Sequence, residues 1–164
     1  MSRMSVVALT AAVALAVSVP ARTQGKPNFS GRWTYNQALS GQRTSGNNPL
    51  VSFPSELLIK QTPAELHWQA STIRQDAITA VFKLDGSEVT MAGAAEITMT
   101  GKAMLAGDTL VITSRRSYSS PAGDISTDFK EVYSVAGDVL TVEKTQTTGG
   151  ISSTLKAVYN KTTS

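Results

Sequence analysis

The run "FKEVYSVAGDVLTVEKTQ", residues 129–146, decides the architecture if it is a hairpin. Gly137-Asp138 is a two-residue turn signal between stretches that alternate apolar and polar side chains. In such a hairpin, residues equidistant from the loop face each other and share one face of the sheet. Val135 then meets Leu140, Tyr133 meets Val142, Glu131 meets Lys144, and Phe129 meets Gln146. Apolar residues oppose apolar ones, and the single Glu opposes a Lys. A slip of one residue would turn the whole apolar set to the other face.

The same test extends in both directions. A turn at Gly149-Gly150 sets Leu140 against Tyr159, Val142 against Ala157 and Lys144 against Leu155. A turn at Ala122-Gly123 sets Leu110 against Val135, Ile112 against Tyr133 and Ser114 against Glu131. Gly107-Asp108 pairs Leu105 with Leu110 and Ala103 with Ile112, and a three-residue loop at 93–95 pairs Met91 with Ile97. Asp85-Gly86 pairs Phe82 with Val89 and Ala80 with Met91, and Thr62-Pro63 pairs Ile59 with Leu66 and Leu57 with Trp68. Between Ala70 and Asp76 the loop must hold an odd number of residues to keep phase. The outward positions are Thr109, Thr113, Lys130, Thr141, Glu143, Thr145, Thr154 and Lys156.

The expectation is an all-β, up-and-down antiparallel meander of about ten strands, the first carrying Trp33. A sheet of that size with one dry face must curl on itself or split into two packed sheets. Closure removes both edges, so a barrel is expected over an open sandwich.

Residues 1–21 read as something other than this domain. Arg3 precedes the uncharged run "SVVALTAAVALAVSV" (5–19), and "VPA" puts a small residue at Ala21. That is the pattern of a cleaved secretory signal peptide, and the run is too short and Ala-rich for a membrane span. The expected domain is 22–164, periplasmic or secreted, bacterial, and without a stable membrane anchor. The chain has no Cys, so an exported domain must rest on packing and its hydrogen-bond ladder. Net charge is +3, with both signs scattered and no basic run longer than Arg115-Arg116, which argues against nucleic acid.

With the meander in place, "NFSGRW" (28–33) resembles the Gly-x-Trp first strand of the calycin group: lipocalins, fatty-acid-binding proteins and avidins. "GDTLVIT" (107–113), "VYSVAGDVLTVEKT" (132–145) and "LKAVYNK" (155–161) resemble strands of lipocalin-like exported bacterial proteins. The resemblance spans nearly all of residues 22–164 and implies a fold rather than a particular ligand. It implies a closed end at the Gly-x-Trp motif, giving Gly31, Trp33 and Tyr159 structural roles. It also implies a covered mouth opposite, where the Gly/Ser/Asn-rich connection 39–54 is expected to act as a lid. "WTYNQALSG" is similar to the first strand of streptavidin, but the chain has only Trp33 and Trp68 and lacks the later Trp-bearing strands of a biotin pocket.

Candidate ligand-binding residues are Arg116, Lys144, Glu131, Tyr133, Trp68 and Met99, all on inward positions. A cation at the mouth of an apolar cavity can hold a carboxylate or phosphate. The plainer readings are a cross-strand Glu131–Lys144 pair at a solvated rim, a snorkelling Arg116 facing Phe129 and Met99, and aromatic and Met side chains that only fill a core. His67 is the only His and points outward, which disfavours haem or a His-based triad. No Gly-x-Ser-x-Gly elbow is present, and no clustered spacing suggests a metal or cofactor; the Asp124 and Asp128 carboxylates fit a solvated turn. The expected function is non-enzymatic binding of a small hydrophobic or amphipathic molecule, with acidic ligands favoured by Arg116 and Lys144. The alternatives are a filled barrel acting as an envelope or protein-interaction module, and an enzyme acting on a hydrophobic substrate.

Overall fold

Alternating Val, Ile, Thr and aromatic residues, punctuated by Gly- and Pro-bearing turns, produce ten antiparallel strands and, among the described residues, no helix. The computed structural model describes residues 26–40, 53–71, 77–92, 97–121 and 123–162. The expected signal peptide, most of the expected lid and the 93–95 loop lie outside them. The strands are β1 (Gly31–Tyr35), β2 (Glu56–Gln61), β3 (Glu65–Ser71), β4 (Ile78–Lys83), β5 (Val89–Thr90), β6 (Thr98–Ala106), β7 (Thr109–Ser120), β8 (Gly123–Ala136), β9 (Val139–Thr148) and β10 (Ile151–Thr162).

Their order across the sheet is β4-β3-β2-β1-β10-β9-β8-β7-β6-β5. Neighbours in sequence are neighbours in space, and β1 pairs with β10, so the sheet curls until β4 meets the β5–β6 arm. Two bridges span that seam, Thr79 with Ala92 and Asp85 with Met104. At the first, each N–H donates to the other residue's carbonyl at 2.9 Å. The result is the nearly closed barrel expected from the alternation.

The hairpins at Gly107-Asp108, Gly137-Asp138 and Gly149-Gly150 have the expected registers. Gly107 and Gly137 lead their turns at φ +60° and +59°, where a side chain would be strained. Three other registers differ from expectation by two residues. Leu110 faces Tyr133, not Val135, and Ile112 faces Glu131. Ile59 faces Trp68 and Leu57 faces Ala70. The cause in both hairpins is a proline. Pro63 and Pro121 each stand first of the two residues between paired strand ends, Thr62 with Glu65 and Ser120 with Gly123. Proline's fixed φ suits the first central position of a turn, so it draws the loop onto itself. The third case is Met91, whose N–H donates to Met99 at 2.9 Å, placing it opposite Met99 rather than Ile97. On β4, the Phe82–Val89 pair does not form, although Thr79–Ala92 lies on the expected register. Ala70 pairs with Ile78, leaving the odd number of intervening residues that phase requires.

A two-residue shift leaves every side chain on its original face. The inward set is therefore the expected one. Trp33, Leu66, Phe82, Leu110, Ile112, Tyr133, Leu140, Val142, Ala157 and Tyr159 are buried in a single core. Outside, the Thr and Ser hydroxyls pair across strands, Thr145 with Thr154 and Thr147 with Ser152, each at 2.8 Å.

Gly-x-Trp has a steric explanation here. Gly31 and Trp33 share a face, and the indole folds back over the bare Gly31 backbone. A Cβ on Gly31 would lie 3.2 Å from the Trp33 ring and 2.9 Å from the Lys161 side chain. Lys161 can yield, being exposed, but the indole cannot. It is fully buried, and its Nε1–H donates to the Phe29 carbonyl at 3.0 Å. Gly31→Ala is therefore expected to cost about 1–3 kcal/mol in urea unfolding. A loss below about 0.5 kcal/mol, the level of an ordinary surface change, would contradict this packing.

Candidate functional site

The interior changes character from one end to the other. At the end carrying the Gly107 and Gly137 turns, Trp33, Leu66, Phe82, Leu110 and Leu140 have no exposure at all. Toward the other end, inward residues regain a little: Trp68 7%, Met99 8%, Thr127 9%. Polar inward side chains begin at that level: Glu131, Lys144, Ser114, Arg116, Thr127 and Gln146. The barrel thus has a sealed apolar floor and a polar upper wall.

The upper wall contains a connected chain of polar groups. The Trp68 Nε1–H donates to the Tyr133 hydroxyl at 3.2 Å, and that hydroxyl donates to Glu131 Oε2 at 2.5 Å. The other carboxylate oxygen, Oε1, lies 3.1 Å from Lys144 Nζ. Lys144 also sits over the Phe129 ring, 4.8 Å from its centre. The Trp68 ring meets Phe82 edge-on at 6.4 Å. Four of the six candidate residues are therefore one network. The expected pairing of Glu131 with Lys144 holds, but the rim position does not: the two side chains are 13% and 14% exposed. A pair so enclosed adds little stability over apolar residues of equal shape.

Two tyrosine hydroxyls are held in their protonated form. Burial, reinforced by the nearby Glu131 carboxylate, raises the Tyr133 hydroxyl well above the ordinary tyrosine range. Tyr159 is raised by burial, then by Glu131 and Tyr35; its hydroxyl donates to the Pro54 carbonyl at 3.1 Å. Its ring lies edge-on to Tyr35, which stacks on Phe53.

Arg116 stands apart from this network. It faces Met99 on β6, as expected, and Thr127 on β8 rather than Phe129, because of the Pro121 turn. Its Nε is buried without a hydrogen-bond partner. So is Oε1 of Gln146, whose amide nitrogen reaches only Thr148 Oγ1 at 3.5 Å. Unpartnered buried polar atoms are rare, and each asks for an explanation. Sequence reasoning placed Gln146 inward opposite Phe129 but did not count it as a site residue. Its parity was readable from the hairpin, whereas its lack of a partner depends on the folded surroundings.

Arg115, Asp128, Asp124 and His67 are exposed. Arg115 and Asp128 form a two-pronged pair on the outer face at 2.7 and 3.1 Å, which holds the Asp128 carboxyl below its ordinary range. Asp124 accepts from Ser119 at 2.7 Å in the turn. His67 faces outward, 3.8 Å from Glu65. Among the described residues, no group of three His, Cys, Asp or Glu side chains is placed to hold a metal.

No protein-family model matches the chain, and no curated protein matches its sequence. Its fold is similar to that of a zebrafish ileal bile acid-binding protein crystallised with cholic acid. The TM-score is 0.54 and the identity 18%, over 82% of this chain and 98% of that one. The likeness is one of fold, a nearly closed barrel of ten antiparallel strands.

Proposed function

We propose that this barrel binds a small amphipathic molecule with an acidic head group, its apolar body above the sealed floor beside Trp68 and Met99 and its head group against Arg116. The observation that carries this reading is the buried, unpartnered Nε of Arg116 above a sealed apolar floor. An enclosed guanidinium nitrogen is costly until an acceptor reaches it, and a carboxylate is the acceptor it fits best. The fold supports the same reading, since the similar zebrafish protein is named for bile acid binding and was crystallised with cholic acid. The role is binding rather than catalysis. Tyr133 and Glu131 satisfy each other, Lys144 is tied to Glu131, and among the described residues no free acid–base pair faces the interior. Export to the periplasm or cell exterior belongs to the proposal and rests on the composition of residues 1–21.

Titration with dodecanoate, followed by native mass spectrometry and tryptophan fluorescence, tests it. A one-to-one complex is expected. Arg116→Met keeps most of the apolar stem and is expected to weaken binding by about tenfold to a hundredfold, as for a lost charge-assisted hydrogen bond. Unchanged affinity in Arg116→Met would reject the anchor. Failure of the wild-type chain to bind any amphiphile would favour a filled barrel.

A further inference from the structure

Resting on the binding role above, we infer that Glu131 is a specificity-determining residue: by cancelling Lys144 it leaves Arg116 as the single uncompensated charge among the described residues of the upper wall, so that the site selects ligands with one negative charge over those with two. Three charged side chains, Arg116, Glu131 and Lys144, lie on described inward positions above the apolar floor. The third cation of that face, Lys161, lies at the closed end, exposed and over Trp33 at 5.4 Å. Glu131 is placed with Lys144 and Tyr133 rather than with Arg116, which lies opposite Thr127, four positions away on the same strand. Lys144 is held in turn by Glu131 and by the Phe129 ring. Arg116 faces Met99 and Thr127, neither of which carries charge.

The physical consequence is a count of charges in a low-dielectric space. One carboxylate against Arg116 brings the interior to neutrality. A second has no free cation and must either be desolvated unpaired or displace Glu131 from Lys144, and each is expensive. Isosteric Glu131→Gln keeps the acceptor for Tyr133 and frees Lys144, creating a second anion position. The buried ion pair, of small value to stability, thereby acquires a role.

The test uses two probes that differ by one carboxylate: dodecanoate, and decylmalonate at mildly alkaline pH where both its carboxylates are ionised. The wild-type chain is expected to bind dodecanoate at least about tenfold more tightly. Glu131→Gln is expected to shift that ratio by about tenfold or more toward decylmalonate. The double variant Glu131→Gln/Lys144→Gln, which restores the charge count without the ion pair, is expected to return the wild-type preference. If Glu131→Gln is too unstable to assay, the double variant must still prefer dodecanoate, and equal binding of the two probes would overturn the inference. An unchanged ratio in a folded Glu131→Gln that binds both probes overturns it while leaving the binding role intact. Absence of binding of either probe to the wild-type chain overturns both.

Discussion

Trp33→Ala is expected to lose about 3–5 kcal/mol of unfolding free energy. The indole is fully buried at the closed end of the barrel, in the core shared with Phe29, Leu57 and Tyr159. Removing it leaves a cavity in a floor built from several strands, and those strands cannot collapse independently into the gap. It also strands the Phe29 carbonyl, which accepts the indole N–H at 3.0 Å. Native domains hold only about 5–15 kcal/mol, so the variant would be marginal at ambient temperature. Urea unfolding is the measurement, with a fall in midpoint at an unchanged slope. A loss below about 1 kcal/mol would mean that the Gly-x-Trp end is not the sealed floor.

Alkaline pH should unfold the protein through Tyr133 and Tyr159. Both hydroxyls are raised above the ordinary 10.0 of tyrosine, chiefly by burial. In the unfolded chain each loses its proton near about pH 10, while in the barrel it does not. The unfolded state therefore binds fewer protons above that pH, and stability falls as pH rises. The stability linked to these hydroxyls is fully present below about pH 10 and declines above it by about 1.4 kcal/mol per pH unit per tyrosine. Denaturant unfolding over that range, with tyrosinate absorbance to mark ionisation, provides the check. Tyr159→Phe is expected to lose about 1 kcal/mol at neutral pH with its bond to Pro54, and to reduce the alkaline slope by about half of the tyrosine contribution. A slope unaffected by Tyr159→Phe would show that this hydroxyl titrates normally in the barrel.

The barrel was legible in the sequence because sheet parity is a strong constraint. Once Tyr133 and Val142 face each other across Gly137-Asp138, every other strand has one phase that keeps its apolar residues inward. The Pro63 and Pro121 turns shifted two hairpins by two residues, yet Trp68, Met99, Arg116, Glu131 and Tyr133 kept their inward faces, because a shift of two preserves parity. What changed was who stands opposite whom, so Arg116 meets Thr127 rather than Phe129. The Glu131–Lys144 pair was legible for the same reason that the hairpin was. Its depth was not, because burial depends on how strands far apart in sequence close above it. The Trp68–Tyr133 bond joins residues 65 positions apart, and no local pattern announces it. The unpartnered state of Arg116 and Gln146 is likewise a property of the assembled wall rather than of either strand.

Nuclear magnetic resonance of the Arg116 Nε–H in the presence of carboxyl-labelled dodecanoate reads the interior anchor at the atom concerned. On binding, that single resonance is expected to move downfield and to resist exchange with solvent, while the labelled carboxyl signal shifts with it. Arg116→Met should abolish both changes. An Nε–H signal unmoved at saturation, with shifts confined instead to outward residues such as Thr145 or Lys130, would mean that the ligand does not enter the barrel.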